Sequence, residues 1–214
     1  MTAGVRSAAF GDGYRLSVVD RFGTWLSQRR LRSVLGDLRS STMADVGCGY
    51  DARFGMSVIG DVAHLIAIDV SLSDAVRAHP RVTAMVGALP EVLMQIPTGS
   101  VQHVVMNSVL EHLDEPIETL REVRRIAAPA TAIVFVNVPT WLGRRALETS
   151  AFKFGLSPAS EIEDHRRYYS KRELWMALRE AGFLPSEIKV RTHKFGLNTF
   201  GVCRLRLDRN RRRY

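Results

Sequence analysis

Five short apolar runs, alternating with stretches of helical character, constrain this chain more than any other feature. The runs cover residues 43–46, 65–69, 82–86, 101–106 and 131–138 and are rich in Val, Ile, Ala and Met. Between them, 53–63, 72–78 and 116–126 carry helical patterning, with Pro116 placed for a first turn, and 90–95 reads as a helical turn. Apolar runs with little polar alternation read as strands buried on both faces. Strands that alternate with helices pair in parallel. The expectation is an α/β fold with a mostly parallel sheet and helices on both faces.

The flanks complete the plan. Leu16, Val19, Phe22, Trp25, Leu26, Leu31, Val34, Leu35 and Leu38 recur at helical spacing, predicting one or two helices over 14–38 with a break near Gly23. Residues 1–40 are therefore an N-terminal helical cap. Pro139 ends the fifth strand, and 139–168 reads as a lid insertion holding Trp141, Phe152, Phe154 and a charged run over 161–167. Ser170 followed by Glu173 forms a capping-box pattern, opening a helix that stops at Gly182. Two closing strands are predicted over 188–193 and 200–207, so the main domain spans 41–208. A basic tail, 209–214, lacks apolar periodicity.

Composition narrows the function. The 214 residues suffice for one hydrophobic core, and the two cysteines, Cys48 and Cys203, make neither a disulfide framework nor a zinc-ligand pattern. His64, His79, His103 and His193 show no paired metal spacing, so no metal is expected. No apolar run reaches the ~18 residues of a membrane-spanning helix. The first ten residues lack the apolar core of a secretory signal. A cytoplasmic protein with free thiols is expected. The net charge of +8 raises nucleic acid as a partner. Much of it gathers near the C-terminus and in Arg29, Arg30 and Arg32, with no interleaved aromatics, so nucleic acid is not the favoured partner.

The chemistry concentrates after the first strand. Asp45-Val-Gly-Cys-Gly49 ends that strand with glycines that let the backbone turn sharply and approach a ligand. Asp69 ends the second strand, about twenty residues on, where an acid accepts from both ribose hydroxyls of a nucleoside. Tyr50, Asp51 and Ala52 follow, so the third glycine of a dinucleotide fingerprint is missing. The lysine of a phosphate-binding loop is missing as well. A ligand with ribose but no pyrophosphate fits better.

Two later segments join these: Asn107-Ser-Val-Leu-Glu-His-Leu113 after the fourth strand, and Asp164-His-Arg-Arg-Tyr-Tyr-Ser-Lys-Arg-Glu-Leu174 leading to Ala181-Gly-Phe183. With these four segments in order, the chain resembles the class I S-adenosylmethionine-dependent methyltransferases over about 40–207. The resemblance implies a Rossmann-like, mostly parallel seven-stranded sheet whose last strand is antiparallel. It implies S-adenosylmethionine as cofactor. Gly47 and Gly49, with Cys48 between them, would line its methionine part, Asp45 would accept from its ammonium, and Asp69, followed by Val70, would hold the ribose. Asn107, Ser108 and Val109 would lie beside it, with His112 one turn later facing the pocket.

Two departures stand out. The family often carries an acid after the third strand for the adenine amino group. Here Val86-Gly87-Ala88-Leu89 stand there, so adenine is expected to meet backbone and apolar contacts at Ala88 and Leu89. Where the family usually has Ser-Phe-Asp before the fourth strand, this chain has Ser100-Val-Gln-His103, a structural variation.

For catalysis, His165 is the candidate base, oriented by Asp164, in the loop after the fifth strand. His112 is the next candidate. Cys48 reads as a packing residue rather than a nucleophile. The lid's Trp141 and Leu142 either close on an apolar substrate or pack against the sheet. The acceptor is expected to be a small molecule or glycan, and the lid wording resembles methyltransferases of bacterial glycan and secondary-metabolite pathways. Two alternatives stay open: an enzyme acting on nucleic acid or protein, and a cofactor-binding module without turnover.

Overall fold

A computed structural model describes Ala9 and residues 18–143, 167–193 and 196–206 of the chain. The expectations for His165, Asp164, most of the lid and the 209–214 tail lie outside the described residues.

Seven strands form one sheet: β1 Thr42–Val46, β2 His64–Asp69, β3 Val82–Val86, β4 His103–Asn107, β5 Ile133–Pro139, β6 Ile188–His193 and β7 Asn198–Arg204. Their order is β3-β2-β1-β4-β5-β7-β6. The pairs among β1 to β5 are parallel, and β7 runs antiparallel to both β5 and β6. The sheet is thus the seven-stranded, mostly parallel one expected.

Side-chain alternation along the strands divides the core in two. Ala44, Val46, Ile66, Val104, Met106, Val134 and Val136 face one side, under helices α4 (Pro116–Ile126) and α5 (Lys171–Glu180). Met43, Leu65, Ala67, Val105, Phe135, Phe200 and Val202 face the other, with α1 (Val18–Leu35), α2 (Arg53–Ser57) and α3 (Asp74–Arg77). Helix α4 shows how the pattern becomes packing. Thr119, Leu120, Val123 and Ile126 are buried, while Arg121 and Arg125 pair with Glu118 and Glu122 on its outer side.

Several boundaries differ from expectation, each for a local reason. Helix α1 runs unbroken through Gly23, because an isolated glycine costs a helix only ~1 kcal/mol. Helix α2 stops at Ser57 rather than 63. The following Val58, Ile59 and Gly60 are poor helix formers, and Asp61 and Val62 fold back onto the Val58 carbonyl. Helix α3 is likewise short. Strand β4 starts at His103 because Val101 bridges Ala127 instead, while the Gln102 side chain accepts from the Thr42 amide at 2.9 Å. Gln102 is thus structural, as expected for that departure. Strand β5 begins at Ile133, after Ala130 turns with φ of 68°. Strand β7 spans Asn198–Arg204, two residues earlier than expected at its start.

The capping box at α5 is present in full. Ser170 Oγ accepts from the Glu173 amide at 3.3 Å, and the Glu173 carboxylate accepts from the Ser170 amide at 2.7 Å. Those bonds hold the Glu173 carboxyl below its ordinary pKa. Replacing Ser170 with Ala is expected to cost about 1 kcal/mol, read as a drop of a few degrees in Tm. An unchanged melting curve would contradict the cap's contribution.

Candidate functional site

The sheet order sets where a ligand goes. From β1 the chain moves outward to β2 and β3, then crosses back to β4 on the other side of β1. The loops leaving the carboxyl ends of β1 and β4 therefore part in opposite directions and open a crevice. Asp45, Gly47, Cys48 and Gly49 lie at the end of β1, Asn107, Ser108 and Val109 at the end of β4, and Asp69 and Val70 at the end of the adjoining β2.

Gly47 and Gly49 adopt φ of +67° and +76°, a region that disfavours side chains. The amides of Gly47 and Cys48 both donate to the Ile68 carbonyl, at 2.8 and 3.1 Å. A Cβ at Gly47 would stand 2.4 Å from Val109 Cγ2, so the loops after β1 and β4 touch where only glycine fits. The Gly49 amide donates to Asp69 Oδ2 at 2.7 Å, and the Val70 amide to Asp69 Oδ1 at 2.8 Å. Two backbone bonds thus aim the Asp69 carboxylate at the glycine loop. Burial, followed by the charges of Asp45 and Asp69, pushes the Cys48 thiol far up. A thiol so held is no nucleophile, which supports the packing reading.

Asp45 is only 3% exposed. Its Oδ2 accepts from the Gly55 amide of α2 at 3.0 Å. Burial raises its pKa to about 7, against the lowering effect of the Gly55 bond and with a further push from Asp69. A buried carboxylate facing a second acid gains most from a cation brought beside it.

The remaining loops close the crevice. After β3, the Gly87 amide donates to the Asp69 carbonyl at 3.1 Å, bringing Ala88 and Leu89 next to the end of β2. The Val92 amide caps the Ala88 carbonyl, and Leu89 packs on the core. No acidic side chain stands in 86–89. After β4, Ser108 turns with φ of 59°, Val109 is buried, and Leu110–His112 form a 3₁₀ turn that leaves His112 half-buried. Across from them the Arg167 amide donates to the Glu111 carbonyl and the Tyr169 amide to the Pro139 carbonyl, both at 3.3 Å. Residues 167–169 thus run along the ends of β4 and β5.

Sequence reasoning missed two residues here, Asn137 and Glu111. Asn137, on β5, donates its side-chain amide to Asn107 Oδ1 at 2.9 Å, and its signal was a polar residue inside an apolar strand. Glu111 is wholly buried in the turn after β4, within a motif read for its histidine. Tyr168 lies against Trp141, ring centroids 5.2 Å apart. Trp141 itself is 60% exposed and Leu142 is also exposed, so neither packs under the sheet. Among the described residues, no three His, Cys, Asp or Glu side chains gather as a metal set would. Among them too, no helix is long and apolar enough to cross a membrane.

Known proteins place this architecture. A family model described as a methyltransferase domain matches residues 20–185. No curated protein matches by sequence. Among solved structures, an S-adenosylmethionine-dependent methyltransferase of Archaeoglobus fulgidus superposes with a TM-score of 0.60 at 18% identity, covering 79% of this chain and 72% of that one. The 1,6-didemethyltoxoflavin N1-methyltransferase of Burkholderia thailandensis, solved with that acceptor and S-adenosylhomocysteine, gives 0.56 at 16% identity, covering 86% and 81%. An O-methyltransferase family protein of the same organism gives 0.58 at 16% identity, covering 84% of this chain and 56% of that one. The chain belongs to the methyltransferase-domain family, with the Rossmann-like fold of the S-adenosylmethionine-dependent methyltransferases.

Two outcomes follow from the loop geometry. Gly47→Ala is expected to destabilise the protein by ~1–3 kcal/mol, through its positive φ and the Val109 clash. The second concerns Asp45 in the ligand-free protein. The fold keeps its proton up to pH about 7, whereas an unfolded Asp releases it near ~4. Stability from this group therefore falls as pH rises from ~4 to about 7 and is flat above. Melting curves from pH 5 to 8 should show that decline in the wild type and a shallower one in Asp45→Asn. Equal slopes would mean that Asp45 does not hold its proton.

Proposed function

We propose that the protein transfers a methyl group from S-adenosylmethionine to an oxygen of a small-molecule or glycan acceptor. The observation that carries the reading is the Asp69 carboxylate bonded to the Gly49 amide across the ends of β1 and β2. A carboxylate offers about four acceptor sites, so two amide bonds are compatible with a ribose diol. The glycine loop, held against Val109 at Gly47 and turned by the positive φ of Gly47 and Gly49, suits the amino-acid end of the cofactor. Asp45 suits its ammonium, and Ala88 and Leu89 suit adenine by backbone and apolar contact. Bound there, the cofactor would supply an electrophilic methyl on a positively charged sulfur.

The chain's own work is then to align the acceptor and remove its proton. His165 takes that proton in this reading, with Asp164 orienting it and His112 next in line. The anchoring of the Arg167 amide, two residues after His165 in sequence, at the Glu111 carbonyl supports it. Exposed Trp141, backed by Tyr168, supports an acceptor with an apolar or flat face. The free thiols of Cys48 and Cys203 accord with a cytoplasmic setting.

A second reading, a polyanionic acceptor such as nucleic acid, draws on one feature. Lys189 and Arg191 are exposed opposite Val202 and Phe200, and Arg30 lies over the Phe200 ring. Among the described residues, no carboxylate pairs with these three cations. Retention on polyanions that survives moderate salt, with methylation of RNA, would favour this reading over the first.

Three measurements test the main reading. Asp69→Ala should lose roughly 1–3 kcal/mol of S-adenosylmethionine binding, while equal affinity would remove Asp69 from the site. A methyl-transfer assay against sugars, lipid-linked glycans and phenols should identify an acceptor class. On that acceptor, His165→Ala should keep cofactor affinity and slow turnover by roughly 10²–10⁴. Normal turnover would move the base elsewhere.

A further inference from the structure

Asn137 breaks the apolar run of β5, and its side chain is 2% exposed between Val136 and Val138. It stands level with Asn107 on the neighbouring parallel strand. Its Nδ2 donates to Asn107 Oδ1 at 2.9 Å, and its backbone carbonyl accepts from the Ser108 amide at 2.8 Å. One residue of β5 therefore holds the last residue of β4 and the first of the loop after it, the strained Ser108 with its φ of 59°. Burying a carboxamide is costly where an apolar side chain would pack without penalty.

A pair of facing carboxamides has two polarities. In the one observed, Asn137 gives an N–H and keeps its Oδ1 buried without a partner. The reverse polarity would bury the Asn137 amide instead, with two N–H donors unpaired. The observed polarity leaves one Asn137 N–H and its Oδ1 unpaired, the reverse leaves two N–H groups, and an orphan acceptor costs less than a second orphan donor, so the observed polarity is preferred. Its consequence falls on Asn107. With Oδ1 occupied by Asn137, the half-buried Asn107 side chain has its Nδ2 hydrogens left for something else.

We infer that Asn137 is a positioning residue that fixes the polarity of the Asn107 carboxamide, so that Asn107 meets an oxygen of the bound cofactor as a hydrogen-bond donor. This rests on the cofactor reading of the site. It assigns to β5, by way of Asn137, a part in cofactor binding that its position in the core hides.

S-adenosylhomocysteine is the probe, titrated by calorimetry into the wild type, Asn107→Ala, Asn137→Ala, the double variant and Asn137→Asp, with melting curves alongside. Each alanine variant is expected to bind roughly tenfold more weakly. The double variant should bind no more weakly than Asn107→Ala, because Asn137 acts through Asn107. Asn137→Asp gives polarity its own readout. At pH 8 its carboxylate cannot donate, so Asn107 turns its amide inward and presents Oδ1 to the ligand, and binding weakens. Protonation restores a donor at position 137, so the deficit relative to the wild type should shrink toward pH 5. A packing role produces no such recovery. Additive losses in the double variant, or an Asn137→Asp affinity that tracks the wild type at every pH, would overturn the inference. If Asn137→Ala does not fold, the near-isosteric Asp variant decides alone. A wild type that fails to bind S-adenosylhomocysteine overturns the cofactor reading and this inference with it. A wild type that binds, with indifferent Asn137 variants, overturns the inference alone.

Discussion

The hydrogen bond from the Gly49 amide to the Asp69 carboxylate joins the ends of β1 and β2, and the site is organised around it. It requires a backbone that turns back on itself within three residues, which Gly47 and Gly49 permit with positive φ. It also requires Gly47 to lie against Val109, so the loop after β1 fixes the loop after β4. Asp69 in turn accepts the Gly87 amide at its carbonyl, which draws in the loop after β3. One strand-end residue, through its carboxylate and its backbone carbonyl, thereby ties the loops after β1 and β3 together, and Gly47 brings in the loop after β4.

That arrangement leaves an electrostatic imbalance. Asp45 is buried beside Asp69 with no basic side chain among the causes of its shifted pKa, and burial raises that pKa to about 7. Proteins keep such a group where a ligand will compensate it. The ends of β4 and β5 carry the complementary device, the Asn107–Asn137 pair, which is polar without being charged. The β1–β2 side of the crevice is therefore acidic, and its neighbour along the sheet is neutral and directional. An exposed Trp141 follows at the end of β5. Charge, then amide, then aromatic surface run in order from β1 to β5.

Much of this was legible in the sequence, for reasons that can be named. Apolar runs alternating with helices specify a parallel sheet because both faces are covered, and the order of elements followed from that. The glycine loop and the strand-end acid were legible because their chemistry requires those residue types at that spacing. Helix lengths were less so: α2 stops early because β-branched residues and Gly60 oppose it, and α1 continues because one isolated glycine costs a helix only ~1 kcal/mol. Asn137 escaped notice because its partner is thirty residues away and only the β4–β5 register brings them level. Glu111 escaped because a charged residue in a turn ordinarily faces water. The exposure of Trp141 depends on how the chain leaves β5, where Thr140 Oγ1 donates to the Gly196 carbonyl at 2.7 Å. No local pattern encodes that contact.

The central claim is that the acidic end of the crevice receives the cofactor's ammonium. Proton release on binding tests it directly. Calorimetric titration of S-adenosylhomocysteine at pH 6, in two buffers of different ionisation enthalpy, should show release of most of one proton by the wild type. Asp45 holds its proton there when the site is empty of ligand and loses it beside a cation. Asp45→Asn should release none. Binding by the wild type with no proton released, or no binding at all, would contradict the account.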